Sequence, residues 1–256
     1  MTLKNLYNTF VSHPESMWII RAFNASLLYQ FVKDHNIKKV LDLGTGIGAG
    51  AAIIALALKE KGEIDWHIDT VENLDKCIKI AKELIPEELK INITQHKSEV
   101  VIWQTDKIPC QFFSIFETVP EGEYDLIIND GPAPIFKDGH FIDLPNATIT
   151  KMLMEDKIKT GAFIMWDGRI HMLKMLERYF GDNFYLAKTA KADLSLGGGK
   201  NYFNVLERKD NPITFRDALL DEMKDSTYFK NIDEKTINTD NSPATSSSAT
   251  TSNTGT

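Results

Sequence analysis

The stretch VLDLGTGIG, residues 40–48, decides the fold of this chain. It opens with a short apolar run after two lysines, which is typical of the first buried strand of a parallel sheet. Glycine then occupies every second position, and residues 49–58 are almost all small or aliphatic, which predicts a helix packed against that sheet. A strand, a tight glycine turn and a helix N-terminus together let the backbone approach a nucleotide-like ligand closely.

Asp42, at the end of this strand, distinguishes between the ligands that the glycine turn could bind. A dinucleotide fingerprint can be placed on Gly44, Gly46 and Ala49, so the glycines alone do not decide between ligands. A pyrophosphate is an anion and gains nothing from a nearby carboxylate, whereas the methionine part of S-adenosylmethionine (SAM) carries a cationic ammonium and sulfonium. The pattern Asp-x-Gly-x-Gly-x-Gly resembles the first motif of the class I SAM-dependent methyltransferases. A glycine-rich turn without a ligand is the alternative.

The composition is that of an ordinary soluble globular protein. With 256 residues, the chain is long enough for one large α/β domain and a tail. The formal net charge of −7 argues against a protein that mainly binds a nucleic-acid backbone. The two cysteines are isolated, no apolar run approaches ~20 residues, and the N-terminus does not resemble a signal peptide. We therefore expect a cytoplasmic protein without a membrane partner.

Glu72 ends the second predicted strand, residues 66–71, and precedes a helix predicted over 74–84. A carboxylate at this point can accept hydrogen bonds from both hydroxyls of a ribose. The alternative is an ordinary acidic residue at a helix start, favoured by the helix dipole. Because Asp42 is already in place, we favour ribose binding, and we expect the Glu72 side chain to be exposed and to contribute little to packing.

The third predicted strand, residues 91–94, leads into a polar loop. In the resembling family, the loop after this strand contacts adenine, which makes Ser98 and Glu99 candidates by position. Loops after strands are commonly polar for reasons unrelated to a ligand.

The fourth strand is predicted from the stretch YDLIINDGP, residues 124–132. Its end belongs at the carboxyl edge of the sheet, where open α/β folds bind ligands. In class I methyltransferases this strand end faces the methyl group, and the Asp-Gly-Pro form resembles small-molecule O-methyltransferases. Asp130 is therefore the leading candidate for a catalytic or substrate-orienting carboxylate and for a further cofactor contact. The alternative is a turn aspartate that hydrogen-bonds its own backbone.

Residues 133–141 are predicted to form a loop long enough to be functional. His140 in this loop is a candidate base for a substrate hydroxyl, although a lone loop histidine is more often merely exposed. A helix is predicted from residue 147 to about 159, and a fifth strand over 162–166. This strand ends in Asp167-Gly168-Arg169, so a second carboxylate stands at the same sheet edge as Asp130.

A metal site is implied by resemblance alone. In catechol-type O-methyltransferases, one acid at each of these two strand ends holds a magnesium ion, together with an Asn directly after the second acid. Asp130 and Asp167 match the two acids, and Gly168 stands where the Asn is expected. Magnesium is often held by one or two carboxylates plus water and substrate oxygens. The alternative is that Asp130 orients the substrate while Asp167 pairs with Arg169 or caps the following helix.

The remaining segments predict the domain organisation. Residues 1–36 are predicted as an N-terminal helical cap, with Ser12 and Glu15 as a capping box; the cap either packs on the sheet edge or covers the cofactor. Residues 37–210 form the SAM-binding domain. Two closing strands within it, 184–189 and 202–207, have no helix between them and must pair as a hairpin. We further predict a helix over 211–232 and a disordered Ser/Thr-rich tail over 233–256.

The resemblance covers residues 10–208. It implies an α/β, Rossmann-like fold: a seven-stranded, mostly parallel sheet with an antiparallel C-terminal hairpin and helices on both faces. It also implies SAM as cofactor and methyl transfer to an oxygen or nitrogen of a small molecule. The alternatives are an NAD-dependent oxidoreductase, a non-catalytic SAM-binding protein, and a nucleic-acid methyltransferase, which the acidic charge disfavours. A homo-oligomer is compatible with the sequence. The candidates are Asp42, Gly44, Thr45, Gly46, Gly48, Glu72, Ser98, Glu99 and Asp130 for the cofactor; Asp130, His140 and Asp167 for catalysis; Arg169 for the substrate; and Asp130 and Asp167 for magnesium.

Overall fold

The computed structural model of the protein describes residues 1–16, 19–105, 112–132, 135–137, 140–142, 144–167, 176, 178–186 and 203–214. These residues all belong to one compact unit, Met1–Arg216. The strands are β1 (Lys39–Leu43), β2 (His67–Glu72), β3 (Ile93–Lys97), β4 (Val100–Trp103), β5 (Phe113–Phe116), β6 (Leu126–Asn129), β7 (Ile135–Lys137), β8 (His140–Ile142), β9 (Phe163–Asp167), β10 (Phe184–Leu186) and β11 (Phe203–Arg208). The helices are α1 (Leu3–Val11), α2 (Ala22–Asp34), α3 (Ala49–Lys61), α4 (Asp75–Leu84), α5 (Glu87–Lys90) and α6 (Thr148–Met154).

Seven of these strands form one sheet in the order β3-β2-β1-β6-β9-β11-β10. All neighbours pair parallel except β11, which is antiparallel to both β9 and β10. The predicted closing hairpin and the predicted fold class are therefore confirmed. Strand β1 lies at the centre, and Val40, Leu41 and Leu43 are fully buried, as expected for a strand covered on both faces.

Helix α3 lies between the sheet and the N-terminal helices. It begins after Gly48, whose φ of +92° is the left-handed conformation that glycine adopts readily, and it buries every residue from Ala51 to Leu58. Helices α1 and α2 both contact it. The glycine turn that precedes α3 is thus held between the sheet and the N-terminal segment.

The predicted capping box is wrong. Ser12 ends a helix instead of starting one, because its backbone N–H bonds back to Asn8 and Phe10 at the end of α1. Leu6 and Phe10 of that helix are fully buried, so the first ten residues bury an apolar face of their own. The next described helix, α2, begins at Ala22.

Two strand pairs are not anticipated by the sequence. Strands β4 and β5, which lie between β3 and β6 in the chain, pair antiparallel with each other. Strand β7 pairs antiparallel with β8 in the segment predicted as a loop. Helix α6 is shorter than predicted. Asp156 adopts a left-handed φ of 53°, and the next amide, Lys157 N–H, bonds back to the Met152 carbonyl in a Schellman-like end.

Some predictions fall outside the described residues: residues 187–189 of the first closing strand, the helix over 211–232 beyond residue 214, and the tail over 233–256. None of the helices in the described part of the chain is long and apolar enough to cross a membrane.

Candidate functional site

A small cavity lies where β1 and β6 end at the carboxyl edge of the sheet. It is lined by Ile19, Ile20, Leu28, Asp42, Gly44, Thr45, Ala49, Gly50, Ile128 and Asp130. The fold thus brings Asp42, Thr45 and Asp130 to one cavity. It adds Ile19, Ile20 and Leu28 from the N-terminal segment. The enclosed volume is about 20 Å³, which is room for about one water molecule.

The glycine turn brings the backbones of two strand ends into direct contact. Gly44 has φ +87°, and a Cβ placed on it would lie 2.3 Å from Cα of Gly131, the residue after Asp130. The Gly44 N–H donates to the Val71 carbonyl at 2.9 Å, and the Asp130 N–H donates to the Leu43 carbonyl at 2.9 Å. Only glycine at both positions allows this approach, which places Asp130 against the turn.

Asp42 is a buried carboxylate whose charge is poorly compensated. Its side chain is 3% exposed, and its Oδ2 atom has no hydrogen-bond partner. Burial raises the pKa of Asp42 to about 7; the neighbouring Thr45 hydroxyl opposes the rise and the charge of Glu72 adds to it. An ionised carboxylate in such a place destabilises the protein unless a cation or donor accompanies it. A cationic ligand in the cavity would provide that partner.

Glu72 is buried, at 6% exposure, so the expectation of an exposed side chain is wrong. Its Oε2 accepts from the Gly46 N–H at 2.8 Å, and its Oε1 accepts from the N–H groups of Asn73 and Leu74 at 2.8 and 3.0 Å. The carboxylate therefore ties the glycine turn to the loop after β2. A carboxylate offers about four acceptor positions, so one ribose hydroxyl could be added without displacing a backbone amide.

Ser98 and Glu99 do not belong to the described lining of the cavity. Ser98 is 2% exposed, and its hydroxyl accepts from the backbone and side chain of Thr118 at 3.0 and 3.2 Å and donates to the Glu99 carbonyl at 3.2 Å. This hydroxyl holds two loops together, which leaves it little capacity for adenine. The Glu99 side chain is 70% exposed. Adenine contact by this loop stays a prediction.

The remaining candidates are Asp130, His140, Asp167 and Arg169. Asn129 pairs in register with Trp166, so Asp130 and Asp167 each follow a paired residue at the ends of neighbouring parallel strands. Asp130 is half-buried. His140 lies in β8, but its side chain and that of Asp167 are outside the described structure. The same holds for all of Arg169, so these three roles stay predictions.

The described residues do not complete a metal site. Among the side chains that the structure describes, no group of three or more His, Cys, Asp or Glu residues is placed to hold a metal ion. The neighbouring backbones of Asp130 and Asp167 fit the first two positions of the catechol-type pattern, and Gly168 cannot supply the third ligand. Magnesium at this edge therefore stays a prediction, and no step of the chemistry is derived from it.

A larger cavity, of about 540 Å³, lies at the opposite edge of the sheet. It is bounded by the loop before β6, residues 119–124, by residues 156–160 before β9, and by Arg208. Parallel α/β sheets bind ligands at the carboxyl ends of their strands, so the small cavity at Asp42 is the candidate site despite its size.

Several site features were not predicted from the sequence. Gly131 matters only because Gly44 faces it, and a Cβ on Gly50 would lie 3.6 Å from the Asp42 carboxylate. Ile19 and Ile20 lie in the predicted N-terminal cap, and no local pattern marks them as cavity lining. A signal did exist for Gly131, since a glycine directly after a strand-end acid indicates a close backbone approach.

Comparisons with known proteins identify the fold. No family model and no curated protein matches this sequence. A SAH-bound methyltransferase from Podospora anserina is 14% identical, with a TM-score of 0.51 over 81% of this chain and 88% of that chain. A SAM-bound O-methyltransferase from Streptomyces achromogenes, involved in tomaymycin synthesis, is 14% identical, with a TM-score of 0.50 over 81% and 89% of the two chains. For a SAH-bound O-methyltransferase from Bacillus cereus the values are 12%, 0.50, 81% and 90%.

The chain therefore has the fold of the class I SAM-dependent methyltransferases, with neighbours among the O-methyltransferases. At this level of identity, the likeness shows the fold, and the function has to be argued from the site.

Proposed function

We propose that this protein is a SAM-dependent methyltransferase that moves a methyl group to an oxygen, or a nitrogen, of a small molecule. One observation carries the proposal: Asp42 presents a buried carboxylate with an unpartnered oxygen at the cavity. Its raised pKa shows that the charge is unfavourable in the free protein. The ammonium and sulfonium groups of SAM are cations, so the same carboxylate is favourable once SAM is bound.

Different residues of the chain would contact different parts of SAM. Asp42 would accept from, or pair with, the cationic methionine part, and the glycine turn lets the ligand lie directly on the backbone. Glu72 would accept from a ribose hydroxyl while keeping its bond to Gly46. Bound SAM supplies a methyl group on a positively charged sulfur, open to in-line attack by the acceptor. Asp130, held at the same edge, is placed to orient that acceptor or to take its proton.

The N-terminal segment is proposed to act as a cap over the cofactor. Ile19, Ile20 and Leu28 line a cavity of about 20 Å³, far smaller than a nucleoside cofactor. Tyr7 of α1 donates to the Ile20 carbonyl at 3.1 Å, and the Glu15 carboxylate pairs with Lys76 of α4 at 2.7 Å. We infer that residues around 19–28 move outward when SAM enters and close again over it.

The proposal also covers the class of acceptor and the location of the protein in the cell. A small-molecule acceptor fits the acidic charge of the chain better than nucleic acid does. The cytoplasm is the proposed location because the two cysteines are isolated in sequence.

The oxidoreductase alternative makes a different prediction at Asp42. A dinucleotide places its pyrophosphate at the glycine turn, beside this carboxylate, and would be repelled by it. Titration calorimetry should therefore show binding of SAM and S-adenosylhomocysteine and no binding of NAD or NADH. Tight NADH binding without SAM binding would overturn the proposal.

Turnover separates an enzyme from a SAM-binding protein. The wild-type protein is incubated with methyl-labelled SAM and fractionated host extract, and the label is followed into small molecules, protein and nucleic acid. We expect label in a small-molecule fraction. SAM binding with no transfer into any fraction would favour a non-catalytic SAM-binding protein instead.

A further inference from the structure

The chain leaves the end of β6 at Asp130 and runs beside β5 at residues 144–147. The segment in between contains β7 and β8, in which Lys137 lies opposite His140. It returns at Asn146, which forms an isolated parallel bridge with Ser114 of β5. The segment thus begins at the candidate catalytic carboxylate and contains the candidate base. Whatever holds its two ends together also sets where these groups lie.

Two buried asparagines, Asn129 and Asn146, join these ends and are called the asparagine pair below. Nδ2 of Asn146 donates to Oδ1 of Asn129 at 2.8 Å, and the two residues are 2% and 1% exposed. Oδ1 of Asn146 accepts from the Thr148 N–H at 2.9 Å, which defines which way round the Asn146 amide lies. Because Asn129 immediately precedes Asp130, the hydrogen bond joins the returning chain to the residue next to this acid.

Strand β5 holds the returning end from its other side. The Ser114 hydroxyl donates to the Leu144 carbonyl at 3.2 Å, and its backbone exchanges hydrogen bonds with Pro145 and Ala147 at 3.0 Å each. The returning end is therefore bound to β5 through backbone and to the end of β6 through the asparagine pair. This arrangement links β5, β6 and the start of α6 at one point.

A hydrogen bond between two buried side-chain amides fixes the relative placement of the segments it joins more than it stabilises the fold. One such hydrogen bond contributes only about 1 kcal/mol net, and replacing both partners by apolar groups of the same shape is often nearly neutral. An apolar pair, however, lacks a defined donor and acceptor and permits several arrangements. Placement matters here, because a displacement of about 1 Å at a reacting group can slow a reaction about a hundredfold.

We propose that Asn129, acting through Asn146, is a positioning residue for methyl transfer. The pair ties residue 146 to the end of β6, and this fixes Asp130 and both ends of the segment that contains His140 relative to the bound cofactor. Neither asparagine belongs to the described lining of the cofactor cavity, so loss of the pair should change transfer far more than SAM affinity. The inference rests on the proposed function.

The test uses Asn129→Leu, Asn146→Leu and the double variant. Each single change leaves a buried amide without its partner and should lower the melting temperature, whereas the double variant should recover most of the loss. Calorimetry should give SAM affinities within about threefold of wild type for all three. Label transfer into the extract fraction that the wild type methylates should fall about a hundredfold in the double variant.

Asn183→Leu is the matched control. Asn183 is fully buried, and its Oδ1 accepts from the Thr214 N–H at 3.0 Å beside the start of β10, at the opposite edge of the sheet. This variant should lose stability and keep wild-type transfer per folded molecule. Loss of transfer here as well would mean that any buried asparagine change is equally harmful, which would overturn the proposal.

The results distinguish failure of the asparagine-pair inference from failure of the proposed function. A double variant that is stable, binds SAM and transfers label at the wild-type rate would show that the asparagine pair is merely structural. Hydrogen exchange gives a second measure: in the single variants, amides of residues 130–146 should exchange faster while those of β1 and α3 do not change. Unchanged exchange over 130–146 would overturn the inference. Failure of the wild-type protein to bind SAM or to transfer label overturns the proposed function itself.

Discussion

Asp42→Asn should make the free protein more stable and a weaker SAM binder at the same time. The Asp42 carboxylate is 3% exposed, and burial raises its pKa from 3.8 to about 7. Because the pKa in the folded state lies above the unfolded value, the folded protein binds more protons between pH 4 and pH 7. Stability therefore falls as the pH rises through this window and is lowest, for this group, above pH 7.

The size of the effect follows from the pKa. A shift of about three units corresponds to about 4 kcal/mol between the folded and unfolded states at pH 8. An asparagine removes this charge but leaves a buried amide with unmade hydrogen bonds, which costs about 1–3 kcal/mol. The net gain should be about 2 kcal/mol, or roughly 4–8 °C in melting temperature for a domain of this size. At pH 5 the gain should be much smaller, because Asp42 is then already neutral.

SAM affinity should depend on the same titration. The cation binds the carboxylate, so affinity should rise about fifteenfold from pH 5.5 to pH 7, where the ionised fraction grows from about 3% to about half. The α-amino group of SAM stays largely protonated in this range. Binding at pH 6 should release close to one proton, and Asp42→Asn should bind about ten- to a hundredfold more weakly, with this pH dependence lost.

The assays are thermal unfolding and calorimetry in buffers of different ionisation enthalpy, with wild type and variant compared at each pH. A variant less stable than the wild type at pH 8 would refute the claim that the Asp42 charge is uncompensated. A wild-type SAM affinity that does not change between pH 5.5 and pH 7 would refute the assignment of Asp42 to the cation.

Three further predictions concern the surrounding site. Glu72→Ala should weaken SAM binding about tenfold or more. It should also lower the free energy of unfolding by about 1–3 kcal/mol, because three backbone N–H groups lose their acceptor. Calorimetry that gives an unchanged SAM affinity would remove Glu72 from the cofactor site. Gly131→Ala should destabilise the protein, since its Cβ would lie 2.4 Å from Gly44 Cα, whereas Gly181→Ala, which meets nothing within 4 Å, should not; equal melting temperatures would contradict the close contact. If Asp130 and Asp167 hold magnesium as predicted, excess EDTA should abolish turnover and added Mg²⁺ should restore it; turnover that persists in EDTA would withdraw the magnesium prediction.

The parts of the fold that could be predicted are those specified by neighbouring residues. The run 40–48 contains a buried strand, a glycine turn and a helix start within nine positions, and each follows from apolar periodicity or from the conformational freedom of glycine. Strand ends carry Asp42, Glu72 and Asp130, and the carboxyl ends of parallel strands meet at one edge. The closing hairpin followed because two strands without a crossover must pair antiparallel.

Predictions were wrong where a local sequence pattern was compatible with two different structures. Ser12 and Glu15 match a helix start, yet α1 ends at Val11 because Leu6 and Phe10 already bury an earlier helical face. Strands β4, β5, β7 and β8 have three or four residues each, too few for periodicity to separate them from loop. Residues 104–112 separate β4 from its partner β5, and residues 138–139 separate β7 from β8.

The sequence by itself determined which chemical groups stand at the ligand edge, because their order along the strands places them there. Tertiary structure alone decided what those groups can do. Oδ2 of Asp42 lacks a partner and burial raises the pKa of this carboxyl to about 7, whereas Glu72, equally acidic in sequence, is satisfied by three backbone amides. The reason is that burial and hydrogen bonding set the free energy of a charge, and both depend on atoms that only folding brings near.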